Sequence, residues 1–289
     1  MRVPSTHTAF KSEITQYDIM HLAINTGSLS FDTHEAIAQV HALGFTAVEV
    51  NLQQAELAYG FDQTPNLAFY GELARELKLR KLTVTDVHAL FLNAAQMFSA
   101  RARRAVLAVE GEVTRLLGAG ILVVHPTDIL ESEEWLDLYC DDARMKMPLV
   151  EGIAPVIREL QSSGVRIALE NVQHWRDTCG TNNAEVMARL VEILDCSVAL
   201  DVRRGLDRPS LDRWLELVGD RIAVYHLHDT LGGTEHHPPA ALDWRHIIPQ
   251  LQRTSAQVYV MEATGERSPG AIKVSREYIS KLLQISSTA

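Results

Sequence analysis

The 289 residues, 46% of them hydrophobic, are enough to bury a large core in a soluble domain. A formal net charge of −10, from 27 basic against 37 acidic residues, repels phosphate backbones and argues against general nucleic-acid binding. No stretch reaches the roughly 20 apolar residues of a membrane helix, and the scattered Cys140, Cys179 and Cys196 form neither a ligand pair nor an even disulfide framework, so a reducing cytoplasm is expected.

Residues 1–18 mix Arg2, Lys11, Glu13 and Asp18 with hydroxyl side chains and lack the apolar centre of a signal peptide, so they read as an N-terminal extension. Strands are then expected at 19–26, 46–51, 82–88, 121–125, 166–171, 197–202, 222–228 and 257–263, with helical patterns between them. The clearest helix runs from Ala102 to Leu117: Val106, Val109, Val113, Leu116 and Leu117 fall at helical spacing, and Gly118 and Gly120 follow as stop signals. Val156, Ile157 and Leu160 before Gly164 repeat that arrangement. The acidic stretch from Asp128 to Lys146, with Glu131, Glu133, Glu134, Asp137, Asp141 and Asp142, reads as a solvated face above the fourth strand, a lid or subunit contact being its alternative. Ile121 to Val124 and Val258 to Met261 are apolar on successive residues, as in a parallel sheet covered by helices on both faces. Eight strand-helix units predict an α/β chain folded as a single (β/α)8 barrel domain spanning 1–289, a little longer than the usual length of about 250 residues. An open doubly wound sheet is the alternative, but no glycine-rich phosphate loop follows the first strand.

Six of the apolar runs end in metal-capable side chains: His88, His125, Glu170 with Asn171, Asp201, His226 and Glu262. In a barrel the strand C-termini form the catalytic face, so these groups are expected on one rim. Glu170, Asp201, His226 and Glu262 come from four consecutive strands, which lie about 4.8 Å apart and can deliver them to one ion. Three carboxylates and an imidazole suit one divalent cation such as Mn²⁺, Zn²⁺, Co²⁺ or Mg²⁺; without it, mutual repulsion would raise at least one carboxyl pKa. Each residue alone has a blander explanation. An acid ending a strand often caps the next helix or pairs with an arginine, and His226 can be a packed histidine with His228 as its outward neighbour. Four in succession favour the ion. Arg203, Arg204, Arg208 and Arg213 around the sixth strand form a basic cluster that can take a phosphate or a sugar phosphate.

Taken in order, Val48-Glu49-Val50, Val87-His88-Ala89, Val124-His125-Pro126, Glu170-Asn171, Asp201, His226-Leu227-His228-Asp229 and Glu262 resemble the xylose isomerase-like barrel superfamily, over roughly Ile19 to Glu262. That group includes sugar phosphate isomerases and epimerases and the endonuclease IV type of abasic-site nuclease. The resemblance implies that Glu170, Asp201, His226 and Glu262 hold the principal ion, and that His88 and His125 either hold a further zinc or sit beside the substrate. The chain also departs from the pattern. Arg204 stands where a histidine is common, three residues beyond Asp201. In Thr234-Glu235-His236-His237, Thr234 takes the place of an aspartate, so a three-zinc cluster is not expected. Arginine is permanently charged and only donates, which suits a substrate anion or hydroxyl better than a cation; a salt bridge to Asp207 is its alternative.

These residues predict a divalent-metal-dependent isomerase or epimerase of a sugar, sugar phosphate or cyclitol. Such a reaction removes a proton beside a carbonyl, passes through an enediolate whose negative oxygens a divalent ion stabilises, and returns the proton to the neighbouring carbon or the other face. Glu170 and Glu262 are expected as the acid/base pair, a role the resemblance to epimerases also implies, with Asp201 and His226 as metal anchors. His88, His125, Arg204, Glu49, Asn171, Trp175 and His236 are expected beside the substrate, with His174 next to Trp175 on the loop after the fifth strand. A multi-zinc hydrolase and a non-catalytic sugar or anion binder are the competing readings. Relatives with this architecture often pair, so a homo-oligomer is a further expectation.

Overall fold

In the computed structural model, which describes residues 20–60, 64–90, 100–126, 153–171, 183–206 and 210–285, strand and helix alternate and the parallel strands close on themselves. The wall is built from β1 (His21–Asn25), β2 (Ala47–Asn51), β3 (Thr83–His88), β4 (Ile121–Val124), β5 (Arg166–Glu170), β6 (Ser197–Asp201), β7 (Ile222–Leu227) and β10 (Val258–Met261). Round the barrel they follow the order β1-β10-β7-β6-β5-β4-β3-β2. Every expected strand is present, each bound within two residues of its expected place, and the (β/α)8 barrel stands. A short antiparallel hairpin, β8 (Asp229–Leu231) and β9 (Thr234–His237), leaves the top of β7.

The helices are α1 (Thr33–Val40), α2 (Leu52–Tyr59), α3 (Leu67–Leu79), α4 (Ala100–Leu116), α5 (Ala154–Ser162), α6 (Ala184–Leu194), α7 (Val202–Gly205), α8 (Leu211–Val218), α9 (Trp244–Leu251) and α10 (Pro269–Leu283). Several begin where a short polar side chain accepts the first free amides: Asp32 for α1, Asn51 for α2, Asn66 for α3, Asn183 for α6 and Ser268 for α10. Among the described residues no helix is long and apolar enough to cross a membrane.

Strand side chains alternate between two cores. Outward, Ile24, Val48, Leu122, Leu169, Leu200 and Tyr225 pack on helix residues such as Ile37, Leu73, Val113, Ile157, Trp214 and Trp244. Burying each large apolar side chain there contributes about 1.5–3 kcal/mol. Inward, Ala23, Ala47, Ile121, Val123, Ala168, Ala199, Ala223, Val224, Val258 and Val260 form a smaller cluster. An eight-stranded barrel is only just wide enough for side chains to fill, and Ala23, Ala47, Ala168 and Ala199 leave room above them for longer groups.

One carboxyl group is buried in the outer layer, on α4. The Oε1 of Glu110 accepts the amide of Leu90 at 2.9 Å, which ties α4 to the chain leaving β3. Burial pushes this carboxyl up to about 8, against the pull of the Leu90 amide and His88. Its pKa is therefore above the ordinary 4.5, so the folded state keeps a proton that the unfolded chain has lost, and the resulting stability is full below pH 4.5 and declines up to about pH 8. The loss approaches about 1.4 kcal/mol per pH unit within that window. Glu110→Gln is expected to flatten this part of the fall in melting temperature between pH 5 and pH 8; a variant with the wild-type slope would refute the assignment.

Candidate active site

Two residues above the inner apolar layer on each strand, the same inward parity brings up a polar group. Ala23 leads to Asn25, Ala47 to Glu49, Val123 to His125, Ala168 to Glu170, Ala199 to Asp201, Val224 to His226 and Val260 to Glu262, while β3 contributes Asp86 and His88. Every strand of the barrel thus supplies at least one polar side chain to the C-terminal mouth. Nearly all are buried: Glu49, Asp201 and His226 are 0% exposed, Glu170 1% and Glu262 5%.

His226 lies at the centre. Its Nε2 donates to Glu49 Oε2 at 3.1 Å, while its Nδ1 faces Glu170 Oε1 at 3.3 Å and Glu262 Oε2 at 3.5 Å and makes no hydrogen bond. Burial pushes the imidazole down, but the Glu262, Glu49 and Glu170 carboxylates outweigh it and hold His226 protonated well above its ordinary range. Asn25 donates through Nδ2 to both Glu49 and Glu262, 3.2 Å from the latter, and so clamps those two carboxylates in place. Across the mouth, Glu170 Oε2 accepts from His88 Nε2 at 3.0 Å and His125 Nε2 at 2.9 Å. Burial opposes ionisation of Glu170, yet His226 and His125 hold it well below the carboxylate range. The two histidines differ: burial lowers His125, whereas the bond to Glu170 and the nearby acids carry His88 up to about 9 in spite of burial.

Among the described residues, two sets of three groups have donor atoms close enough to share an ion: His88, Glu170 and His226, and Glu49, His226 and Glu262. Both contain His226, whose buried Nδ1, between two carboxylates and without a hydrogen bond, could take an ion in exchange for the proton that those carboxylates otherwise hold on the ring. Glu49 behind it fixes the ring through the other nitrogen, the usual arrangement behind a metal-bound histidine. The residues present fit a cation.

Asp201 falls in neither set. Its Oδ1 caps α7 by accepting the Arg204 amide at 3.0 Å, and His228 Nε2 donates to both of its oxygens, at 3.1 and 3.0 Å. Its Oδ2 also lies 3.2 Å from Arg204 Nε. The helix-cap reading of a strand-end aspartate therefore holds for this residue, whatever else it binds. His228, read from sequence as an outward neighbour of His226, is instead fully buried and faces inward, because residues two apart on an extended segment share a face. Arg204 reaches Asp201, Glu170 Oε1 at 3.6 Å and Glu235 Oε2 at 3.3 Å, and its Nη2 lies 3.4 Å from His236 Nε2. The alternative partner, Asp207, lies outside the described residues.

The hairpin forms one wall of the mouth. His236, at φ +59°, stacks on His228 with ring centroids 4.2 Å apart and brings Nδ1 to 3.5 Å from Glu262 Oε2. Gly265 donates to the His236 carbonyl at 3.0 Å, and a Cβ there would sit 2.2 Å from the Glu235 carbonyl oxygen, so the hairpin can lie this close only over a glycine. Asn171 sits inside the wall: its Oδ1 accepts the Asp201 amide at 2.6 Å and its Nδ2 donates to the Asp201 carbonyl at 3.1 Å, tying the ends of β5 and β6 together. Trp175, His174, Arg208 and the acidic stretch 128–146 lie outside the described residues.

Sequence reading passed over Asn25 and Asp86. Both are completely buried and share the inward parity, but neither ends an apolar run in an obvious ligand. Asp86 is paired with Glu49 across β2 and β3, where the register slips between Val48 and Glu49. Burial, then the neighbouring Glu49 charge, raises the Asp86 carboxyl well above its ordinary range.

A closed parallel barrel whose C-terminal mouth collects buried carboxylates and imidazoles defines a class of (β/α)8 proteins with a candidate cation site. Residues 37–282 match the family model described as xylose isomerase-like TIM barrel, and the chain belongs to that family. Comparison with curated proteins gives no match. Among solved structures, a D-tagatose 3-epimerase-like protein superposes with a TM-score of 0.68 at 18% identity, covering 92% of this chain and 98% of the other. D-psicose 3-epimerase, solved in the presence of D-fructose, gives a TM-score of 0.67 at 14% identity over 91% and 99% of the two chains. A xylose isomerase-like TIM barrel protein from Mycobacterium smegmatis, in complex with magnesium, gives 0.61 at 14% identity over 93% and 98%. At such identities the likeness is one of fold.

If the carboxylates around His226 take up an ion, folded protein is stabilised by mass action, about 2.7 kcal/mol at a hundred times the dissociation constant. Millimolar Mn²⁺ or Mg²⁺ is expected to raise the melting temperature of chelator-treated protein, and excess chelator to reverse the rise. A melting temperature indifferent to every divalent ion tried would count against the site.

Proposed function

We propose that this chain is a divalent-cation-dependent isomerase or epimerase of a small sugar-like substrate, with Glu170 and Glu262 as the proton-transferring pair. The observation that carries this reading is the position of those two carboxylates: they stand on strands three apart round the barrel, and both approach the unbonded Nδ1 of His226, at 3.3 and 3.5 Å. Glu170, His226 and Glu262 would hold the cation, with His88 and Glu49 beside them; Asp201 joins them once Arg204 releases it. When bound, the cation supplies positive charge next to the carbonyl and hydroxyl oxygens on which negative charge develops.

The protein's own groups supply the rest. Epimerisation needs a base on one side of a carbon and an acid on the other, and Glu170 and Glu262 face each other across the mouth. Both are held ionised below their ordinary range by neighbouring histidines, His226 for each and His125 for Glu170. Either can therefore accept the substrate proton on its own face, while the other, having taken a proton from solvent, delivers it to the opposite face, and exchange with solvent then restores the pair. Asn25 and Glu49 keep Glu262 and His226 in register, while His125, His236 and Arg204, partly open to solvent, line the approach and offer contacts to hydroxyl groups. The magnesium-bound and epimerase relatives of the same fold agree with this reading.

Glu170→Gln and Glu262→Gln each keep the shape of the side chain but remove the proton acceptor. Each is expected to lower kcat by at least about a hundredfold, the usual share of general acid/base catalysis, measured as solvent-deuterium incorporation into ketoses, aldoses and cyclitols. Near-wild-type exchange in either variant would exclude the two-carboxylate mechanism. Exhaustive chelation is expected to stop exchange as well, and re-addition of the ion to restore it.

A further inference from the structure

Resting on the cation reading above, we infer that Arg204 is a tethered competitor for the divalent ion: its guanidinium occupies the oxygens of Asp201 and Glu170 and has to release them before the ion gains its full ligand set. Arg204 is only 14% exposed, and it lies between Asp201 Oδ2 at 3.2 Å, Glu170 Oε1 at 3.6 Å and Glu235 Oε2 at 3.3 Å. Two of these three carboxylates belong to the expected ligand set. A guanidinium is always charged, so, paired by charge with Asp201 and Glu170 at 3.2 and 3.6 Å, it competes for carboxylate oxygens that an ion would use. It also places a like charge beside the incoming ion, at short range and away from water, where repulsion is weakly screened.

A second berth for the guanidinium is already built. Glu235 stands on the hairpin, outside the ligand set and 37% exposed, and His236 Nε2 lies beside the same Arg204 nitrogen. Swinging toward the hairpin lets Arg204 leave Asp201 and Glu170 without losing an ionic partner. Ion entry and Arg204 withdrawal are then one exchange, and wild-type affinity is weaker than the carboxylate count alone would give.

The test is calorimetric titration of Mn²⁺ into chelator-treated, full-length protein. Arg204→Gln is expected to bind Mn²⁺ at least about tenfold more tightly than wild type, since a neighbouring positive charge is gone. Arg204→Lys, which keeps the charge, is expected to stay within about threefold of wild type. If the glutamine variant does not fold, Arg204→Met, uncharged and of similar length, takes its place with the same tenfold expectation. Equal affinity in wild type and the uncharged variant overturns the competition and leaves the cation reading standing. Absence of Mn²⁺ binding at millimolar concentration in both proteins removes the cation reading, and this inference with it.

Discussion

Four carboxylates that the fold keeps ionised, on Glu49, Glu170, Asp201 and Glu262, share the mouth of the barrel with almost no exposure to water, and the structure around them is organised to offset that repulsion. Uncompensated buried charge is costly enough that it would otherwise be neutralised by protonation. His226 sits among three of the four, His88 and His125 share an oxygen of Glu170, and Arg204 bridges Asp201 and Glu170. The deeper Asp86, next to Glu49, is raised well above its ordinary range and keeps its proton instead. The charges are therefore balanced pair by pair within the protein, with His226 Nδ1 left to face carboxylate oxygens without a hydrogen bond.

The barrel wall makes this concentration of charge affordable in space as well as in energy. Ala23, Ala47, Ala168 and Ala199 form a low floor directly beneath Asn25, Glu49, Glu170 and Asp201. Larger residues there would push the polar layer outward into solvent, where the same groups would interact far more weakly. Outside the wall, the leucines, isoleucines and tryptophans shared with the helices hold the strands in a register that sets which side chains meet. Small slips matter at this scale: the irregularity between β2 and β3 is what sets Asp86 opposite Glu49.

Proton transfer at carbon and cation binding place overlapping demands on such a mouth. Both want carboxylates kept ionised, and both are served by histidines that donate rather than by water. Arg204 adds a different element, a positive charge of the chain's own beside Asp201 and Glu170. On the exchange proposed above, the balance between that internal cation and an external one sets how firmly this chain holds the ion without altering the residues that hold it.

Much of this was legible in the order of residues. Apolar runs on successive residues, with helical patterns between them, located all eight barrel strands, because each strand must bury both faces, and the strand ends named Glu170, Asp201, His226, Glu262, His88 and His125 as occupants of one rim. Asn25 and Asp86 escaped notice because an asparagine after Ile24 and an aspartate inside Thr-Val-Thr-Asp carry no ligand signature until parity and closure turn them inward. Local sequence, then, determined the strands, their inward faces and the kinds of polar group at their ends, since those depend on neighbours along the chain. Which group meets which was decided only by closure of the barrel. Arg204 rather than solvent against Asp201, Glu49 rather than a ligand on His226 Nε2, and His228 inward rather than outward all depend on strand order, register and the packing of a hairpin, which bring together residues as far apart as the 177 positions between Glu49 and His226.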